Sequence, residues 1–175
     1  MKKTLFISLL LLPALWLTAQ TDKIPEVKLR DLNGQIISSS QILTPDTPTL
    51  LVLWNTSDSK FKEGLEFFNE MWDENLRMEG VNMVAICTDN LGSWSQVKPL
   101  INGNGWDFDA YIDVNGDFMR AMNVGAGPYA LLIDKQQNIL YRYSYYYPVN
   151  EDITNVGIAS LISRLATASN KLSER

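Results

Sequence analysis

Leu50-Leu51-Val52-Leu53-Trp54 is a continuous apolar run of strand length. Four small or polar residues follow, Asn55 to Asp58. Apolar residues then recur at spacings of three to four: Phe61, Leu65, Phe68, Trp72 and Leu76. The pattern predicts a strand feeding an amphipathic helix. A strand apolar throughout is covered on both faces, which places it centrally in an α/β sheet. In such sheets chemistry gathers where strand becomes helix, because free backbone N–H groups and the helix dipole converge there.

The same reading extends in both directions. Glu26 to Leu29 and the residues after Asp31-Leu32-Asn33-Gly34 predict two short strands around a turn. Pro45 to Pro48 is a loop, Gly80 ends the long helix, and Val81 to Cys87 is a second core strand. A short helix, irregular at Pro99, is expected over Ser93 to Ile101, and a strand over Phe108 to Ile112. Asp117 is expected to cap a short helix holding Phe118, Met119, Ala121 and Met122. Ala130 to Asp134 and Ile139 to Tyr145 flank a polar turn and predict a hairpin, and Asp152 to Ala168 a last helix. Tyr141, Tyr143, Tyr145 and Tyr147 alternate, so they share one strand face. The first two are expected to pack under the last helix, while Tyr145 to Tyr147 are left between packing and an exposed aromatic stripe.

An apolar strand ending in Trp, then a Thr, then a helix resembles the active-site segment of thioredoxin-fold proteins, in particular the secreted TlpA-like (ResA-like) branch. There the strand runs into Trp-Ala-Thr-Trp-Cys-x-x-Cys. Trp54 and Thr56 match that pattern, whereas the two redox cysteines fall on Asp58 and Phe61. The Asp31–Gly34 turn and the stretch from Asp113 to Val124 resemble the same branch. Gly127-Pro128, ahead of the hairpin, resembles the cis-proline loop that faces the redox motif in these proteins. The resemblance covers nearly all of residues 20–175. It implies a thioredoxin-like α/β fold, a central mixed sheet flanked by helices, with an extra strand–helix insertion.

Met1-Lys2-Lys3, the apolar run Leu5 to Leu17 and Thr18-Ala19-Gln20 read as a secretory signal peptide over residues 1–19. The run is shorter than the ~20 residues that span a bilayer. Export to the periplasm or beyond is therefore expected, without a permanent membrane anchor, and residues 20–175 form one domain. At 175 residues, 46% hydrophobic and 20% charged, the chain has the means to bury a real core. Loss of residues 1–19 removes two lysines and no acid, taking the net charge from −5 to −7. With no basic cluster, the footprint of a nucleic-acid binder is missing. The chain has no histidine, which removes His-based triads, His general bases and His metal ligands. No cofactor or metal is expected.

Cys87 is the single cysteine and has no intramolecular partner. Its apolar strand, Val81 to Ile86, marks it as a buried, inert thiol. The alternative is a half-exposed thiol at the strand end that pairs with a partner. Asp113-Val-Asn115-Gly-Asp117 begins like a calcium loop. The template's Gly and Glu positions hold Phe118 and Val124, which favours a turn and helix cap. Asn55-Thr56-Ser57 fits a glycosylation sequon but sits where packing is expected.

At the redox position Asp58 can cap a helix but does not attack disulfides, and Phe61 resolves nothing. Peroxiredoxins use Thr-x-x-Cys; Thr56-Ser57-Asp58-Ser59 keeps the spacing with Ser59 at the nucleophile position, lacking a base. Two readings stand. The favoured one is a redox-inactive module that binds a polypeptide or envelope partner through Trp54, Asp58, Ser59, Lys60, Phe61, Gly127 and Pro128, using the Trp54–Phe61 edge and the cis-proline groove. The other is a thiol-disulfide oxidoreductase or peroxiredoxin-like protein using Cys87 or a partner thiol.

Overall fold

The computed structural model describes residues 23–89, 94–124 and 129–144. The expected signal peptide, the Gly127–Pro128 loop with its cis bond, Tyr145 to Tyr147 and the last helix lie outside them.

Seven strands form one mixed sheet: β1 (Lys28–Asp31), β2 (Ile36–Ser38), β3 (Thr49–Trp54), β4 (Asn82–Cys87), β5 (Asp109–Ile112), β6 (Tyr129–Ile133) and β7 (Ile139–Ser144). Their order is β2-β1-β5-β4-β3-β6-β7. Strand β3 runs parallel to β4 and antiparallel to β6, and β4 runs parallel to β5. All six residues of β3 are buried, as a strand with helices or loops over both faces requires. On one face, Leu50, Val52 and Trp54 join one core cluster; on the other, Leu51 and Leu53 join the second. Period-two alternation thus divides one apolar run between two cores.

The long helix α1 (Ser59–Met71) lies on the Trp54 side, burying Phe61, Leu65 and Phe68. It continues through a π turn, Trp72–Leu76, and a 3-10 turn, Arg77–Glu79, before Gly80 at φ 75° ends it. That left-handed backbone is where glycine is favoured. The π turn keeps both Trp72 and Leu76 in the core. Trp72 Nε1 donates to the Val81 carbonyl at 2.7 Å, and the Arg77 guanidinium lies over the Trp72 ring while bridging Asp73 and Asp107.

Helix α2 (Val97–Asn104) packs on the same face through Val97 and Ile101. It is regular at Pro99, contrary to expectation. Pro99 is the third helical residue, in the first turn, where no intrahelical N–H bond is lost. The irregularity is instead a 3-10 turn ahead of it, Trp94–Gln96. Helix α3 (Asp117–Met122) covers the opposite face with Phe118 and Met122, beside Leu29, Ile42 and Leu43.

The cap of α3 also differs from expectation. Gly116, at φ 70°, is the cap residue and Asp117 is the first helical residue. Asp113 supplies the side-chain acceptor from further back, its Oδ2 taking the Met119 N–H at 3.0 Å. Asp117 is held by Arg120, which also donates to the Asn115 carbonyl at 2.7 Å. A guanidinium therefore sits among the oxygens that a calcium loop would turn toward a metal.

The hairpin β6–β7 turns through Asp134, whose Oδ1 accepts from the N–H groups of Gln136 and Asn138. Tyr141 and Tyr143 stack at 6.2 Å, and Tyr143 packs against the core cluster on the α1 side. The two tyrosines share one strand face as expected, while the last helix under which they were expected to pack lies outside the described residues.

Candidate functional site at the start of the long helix

The carboxyl ends of β3 and β4 lie side by side, with Trp54 paired to Cys87. From there the chain turns through Asn55 to Asp58 into α1. Asn55 makes the turn: its Oδ1 accepts from the N–H groups of Ser57, at 3.2 Å, and Asp58, at 2.9 Å. An Asn side chain mimicking a backbone turn is a recurring solution here. With that oxygen folded onto its own chain, the sequon residues serve as a turn.

Asp58 is the N-cap, with extended backbone, and its Oδ1 accepts the Lys60 N–H at 2.8 Å. The carboxylate so placed satisfies one of the helix's orphan donors and opposes the positive end of its dipole. Lys60 reaches along the helix to Glu63 at 2.8 Å. Solvent meets Ser57, Ser59 and Lys60, which are exposed, and Asn55, Thr56 and Asp58, which are half-buried.

Trp54 and Phe61 correct the expected binding edge. Trp54 is completely buried and Phe61 is 5% exposed. Each is the side chain through which its element enters the core: Trp54 meets Trp106 edge-on at 6.0 Å, and Trp106 stacks on Phe108. Neither offers an aromatic surface to a partner. Among the described residues, the buried Trp54 Nε1–H finds no hydrogen-bond acceptor.

Two organising residues were not singled out by the sequence as site residues. Asp89, 4% exposed, takes the Thr56 N–H at 3.0 Å and the Thr56 hydroxyl at 2.5 Å. Thr88 donates its N–H and its hydroxyl to the Trp54 carbonyl, at 2.7 and 3.0 Å. The only hint in the sequence is a pair of polar residues directly after a buried strand. The partners lie 33 and 34 positions away and become neighbours only through parallel pairing.

Cys87 is completely buried. Burial pushes its thiol well up from the usual range, and the charge of Asp89 pushes the same way. Backbone N–H groups of Asp89 and Thr56 oppose this only in part. The expected burial of the thiol agrees with this geometry. Within the described residues, no cluster of three or more His, Cys, Asp or Glu is placed to hold a metal, and no helix is long and apolar enough to cross a membrane.

The site therefore holds a capped helix start, a Thr–Asp pair and a buried thiol. No accessible thiolate is present, and the Ser59 hydroxyl is flanked by Asp58 and Lys60 without a histidine in the chain.

Residues 21–142 match the AhpC/TSA family. None of the curated proteins matches. Among solved structures, a thioredoxin-like protein from Porphyromonas gingivalis is 27% identical, with 82% of this chain and 94% of that one covered at a TM-score of 0.63. The thioredoxin domain of a thiol-disulfide oxidoreductase from Bacteroides vulgatus is 14% identical, covering 81% and 96% at 0.60. StoA from Bacillus subtilis is 20% identical, covering 69% and 88% at 0.52. The last two likenesses show the fold: thioredoxin-like, with a mixed seven-stranded sheet.

Proposed function

The chain belongs to the AhpC/TSA family, and from that premise we propose that it is an exported, redox-inactive thioredoxin-fold protein. It acts as a binding or accessory module of the cell envelope, with a polypeptide as its partner. The carrying observation is the occupancy of the redox position. Asp58 caps α1 where a nucleophilic cysteine would stand, and Phe61 is core where the resolving cysteine would stand. Disulfide exchange needs an accessible thiolate to attack a sulfur. The one thiol, Cys87, is buried and held protonated, which counts against the oxidoreductase alternative.

The contact surface on this reading is Ser57, Asp58, Ser59 and Lys60, which lie at the solvent-facing start of α1. Export rests on the signal-like N-terminus, Met1 to Gln20.

The deciding measurement is insulin reduction and peroxide turnover by the purified protein beside a Cys87→Ser variant. Neither protein is expected to exceed the uncatalysed rate. Turnover in the native protein that the substitution abolishes would establish the oxidoreductase alternative instead.

A further inference from the structure

A second concave site lies on the α1/α2 face of the sheet, away from the helix start. In register across the strands, Trp54 pairs with Cys87, Cys87 with Ile112, and Ile112 with Arg30. Strands are spaced about 4.8 Å apart, so Arg30 stands roughly 14 Å from Trp54 along this row. Beside the Arg30 end opens a cleft of about 380 Å³, within the range of small-ligand sites. Leu32, Ile112, Pro99 and the Trp94 ring form its apolar wall, and Lys98, Ser95 and Asn102 contribute polar groups.

Its charge sets it apart. The protein is acidic overall, yet no Asp or Glu is among the described residues lining the cleft. Lys60, Arg77 and Arg120 each neutralise a carboxylate. Lys98 instead donates to the neutral Asn33 Oδ1 at 2.9 Å, which uses one of its three protons. The Arg30 guanidinium lies over the Trp94 ring, 5.5 Å from its centroid, and donates from Nη1 to the Gly34 carbonyl. Among the described residues, the buried Arg30 Nε finds no acceptor. Lys98 thus lines the cleft as its one cation, with Arg30 behind the Trp94 wall, and among the described residues neither is in an ion pair.

We propose that this cleft binds an apolar group bearing a carboxylate: the aliphatic or aromatic body against Trp94, Leu32 and Ile112, the carboxylate on Lys98. A charge-assisted hydrogen bond to a carboxylate is about twice as strong as a neutral one, which fixes the ligand's orientation. The same chemistry is offered by a free organic acid and by a polypeptide ending in an apolar residue.

The test is titration of the full-length protein, with ¹⁵N-labelled tryptophan, followed at the Trp94 indole resonance. The probes are 4-phenylbutyrate, its neutral amide, and N-acetyl-Gly-Gly-Phe with a free carboxyl terminus. Saturable shifts with either acid are expected, with binding about tenfold weaker for the amide and for Lys98→Gln. Whichever acid binds more tightly identifies the source. Lys135→Gln, in the exposed β6–β7 turn, is expected to leave the titration unchanged, which separates loss of the Lys98 contact from a general change of charge. Equal affinity for acid and amide, indifference to Lys98→Gln, or no shift with either acid would each overturn the proposal.

Discussion

Thr56 gives both of its donors, the backbone N–H and the hydroxyl, to the carboxylate of Asp89, at 3.0 and 2.5 Å. This pair fastens the turn entering α1 to the chain leaving β4. Asp89 is almost fully buried, so its oxygens depend on these donors. Removing one partner of a buried polar pair leaves the other desolvated, a penalty of about 1–3 kcal/mol. Thr56→Val is expected to lose stability in that range by urea unfolding, and Thr56→Ser, which keeps the hydroxyl, much less. Equal midpoints for Val and Ser would mean that the hydroxyl carries nothing.

Asp58 acts on the same turn from the other side. Asp58→Ala is expected to lose about 0.5–2 kcal/mol, the usual worth of an N-cap. Asp58→Asn keeps the hydrogen bond to Lys60 and forfeits only the dipole contribution, about 0.3–1 kcal/mol. Urea unfolding of both variants distinguishes the effects. Unchanged stability combined with lost partner binding would make Asp58 a contact residue rather than a cap.

Phe61 anchors α1 in the core. Phe61→Ala is expected to destabilise by about 3–5 kcal/mol, the range for truncating a buried aromatic. A solvent-facing Phe at this place would give a change near zero in thermal or urea unfolding, and that result would restore the Trp54–Phe61 edge as a surface.

Cys87 gives the fold a pH signature. Burial raises its folded-state pKa above the unfolded value of about 8.5. Between the two values the folded state keeps a proton that the unfolded state releases, so stability falls as pH rises through that window. The contribution is complete below pH ~8.5 and declines above it. Tyr111 and Tyr143, raised from their usual value chiefly by burial, steepen the decline above pH ~10. Stability of the native protein is expected to drop more between pH 8 and 10 than that of Cys87→Ala. Parallel profiles would show that the thiol titrates alike in both states.

The sequence was most legible where one physical signal acted alone. The apolar run of β3 had no competing reading, and Phe61, Leu65, Phe68, Trp72 and Leu76 all reached the core as their spacing required. That spacing is silent about the switch to a π turn at Trp72, since a four-residue step fits either winding. It also misled about the site. Trp54 and Phe61 were read as an edge because they bracket the redox position, but the same apolarity that marks a binding surface marks a core. The Asp117 cap failed for a different reason: Gly116 takes the left-handed φ, and Asp113, three residues before it, already supplies the acceptor. The Thr56–Asp89 pair and the Arg30–Trp94–Lys98 cleft were invisible, because residues 33 to 68 positions apart meet only once strand order is known.

The capped start of α1 has a consequence for ancestry and reversal. Placing cysteine at 58 unseats a helix cap, and placing it at 61 empties part of the core; either change alone creates no dithiol. Together they forfeit about 5 kcal/mol, taking central values for a cap and a truncated aromatic. A domain of this kind holds only about 5–15 kcal/mol in all. Any lineage that reaches Asp58 and Phe61 has therefore passed a ratchet. Its way back to disulfide chemistry runs through less stable intermediates that gain no activity until both steps are complete.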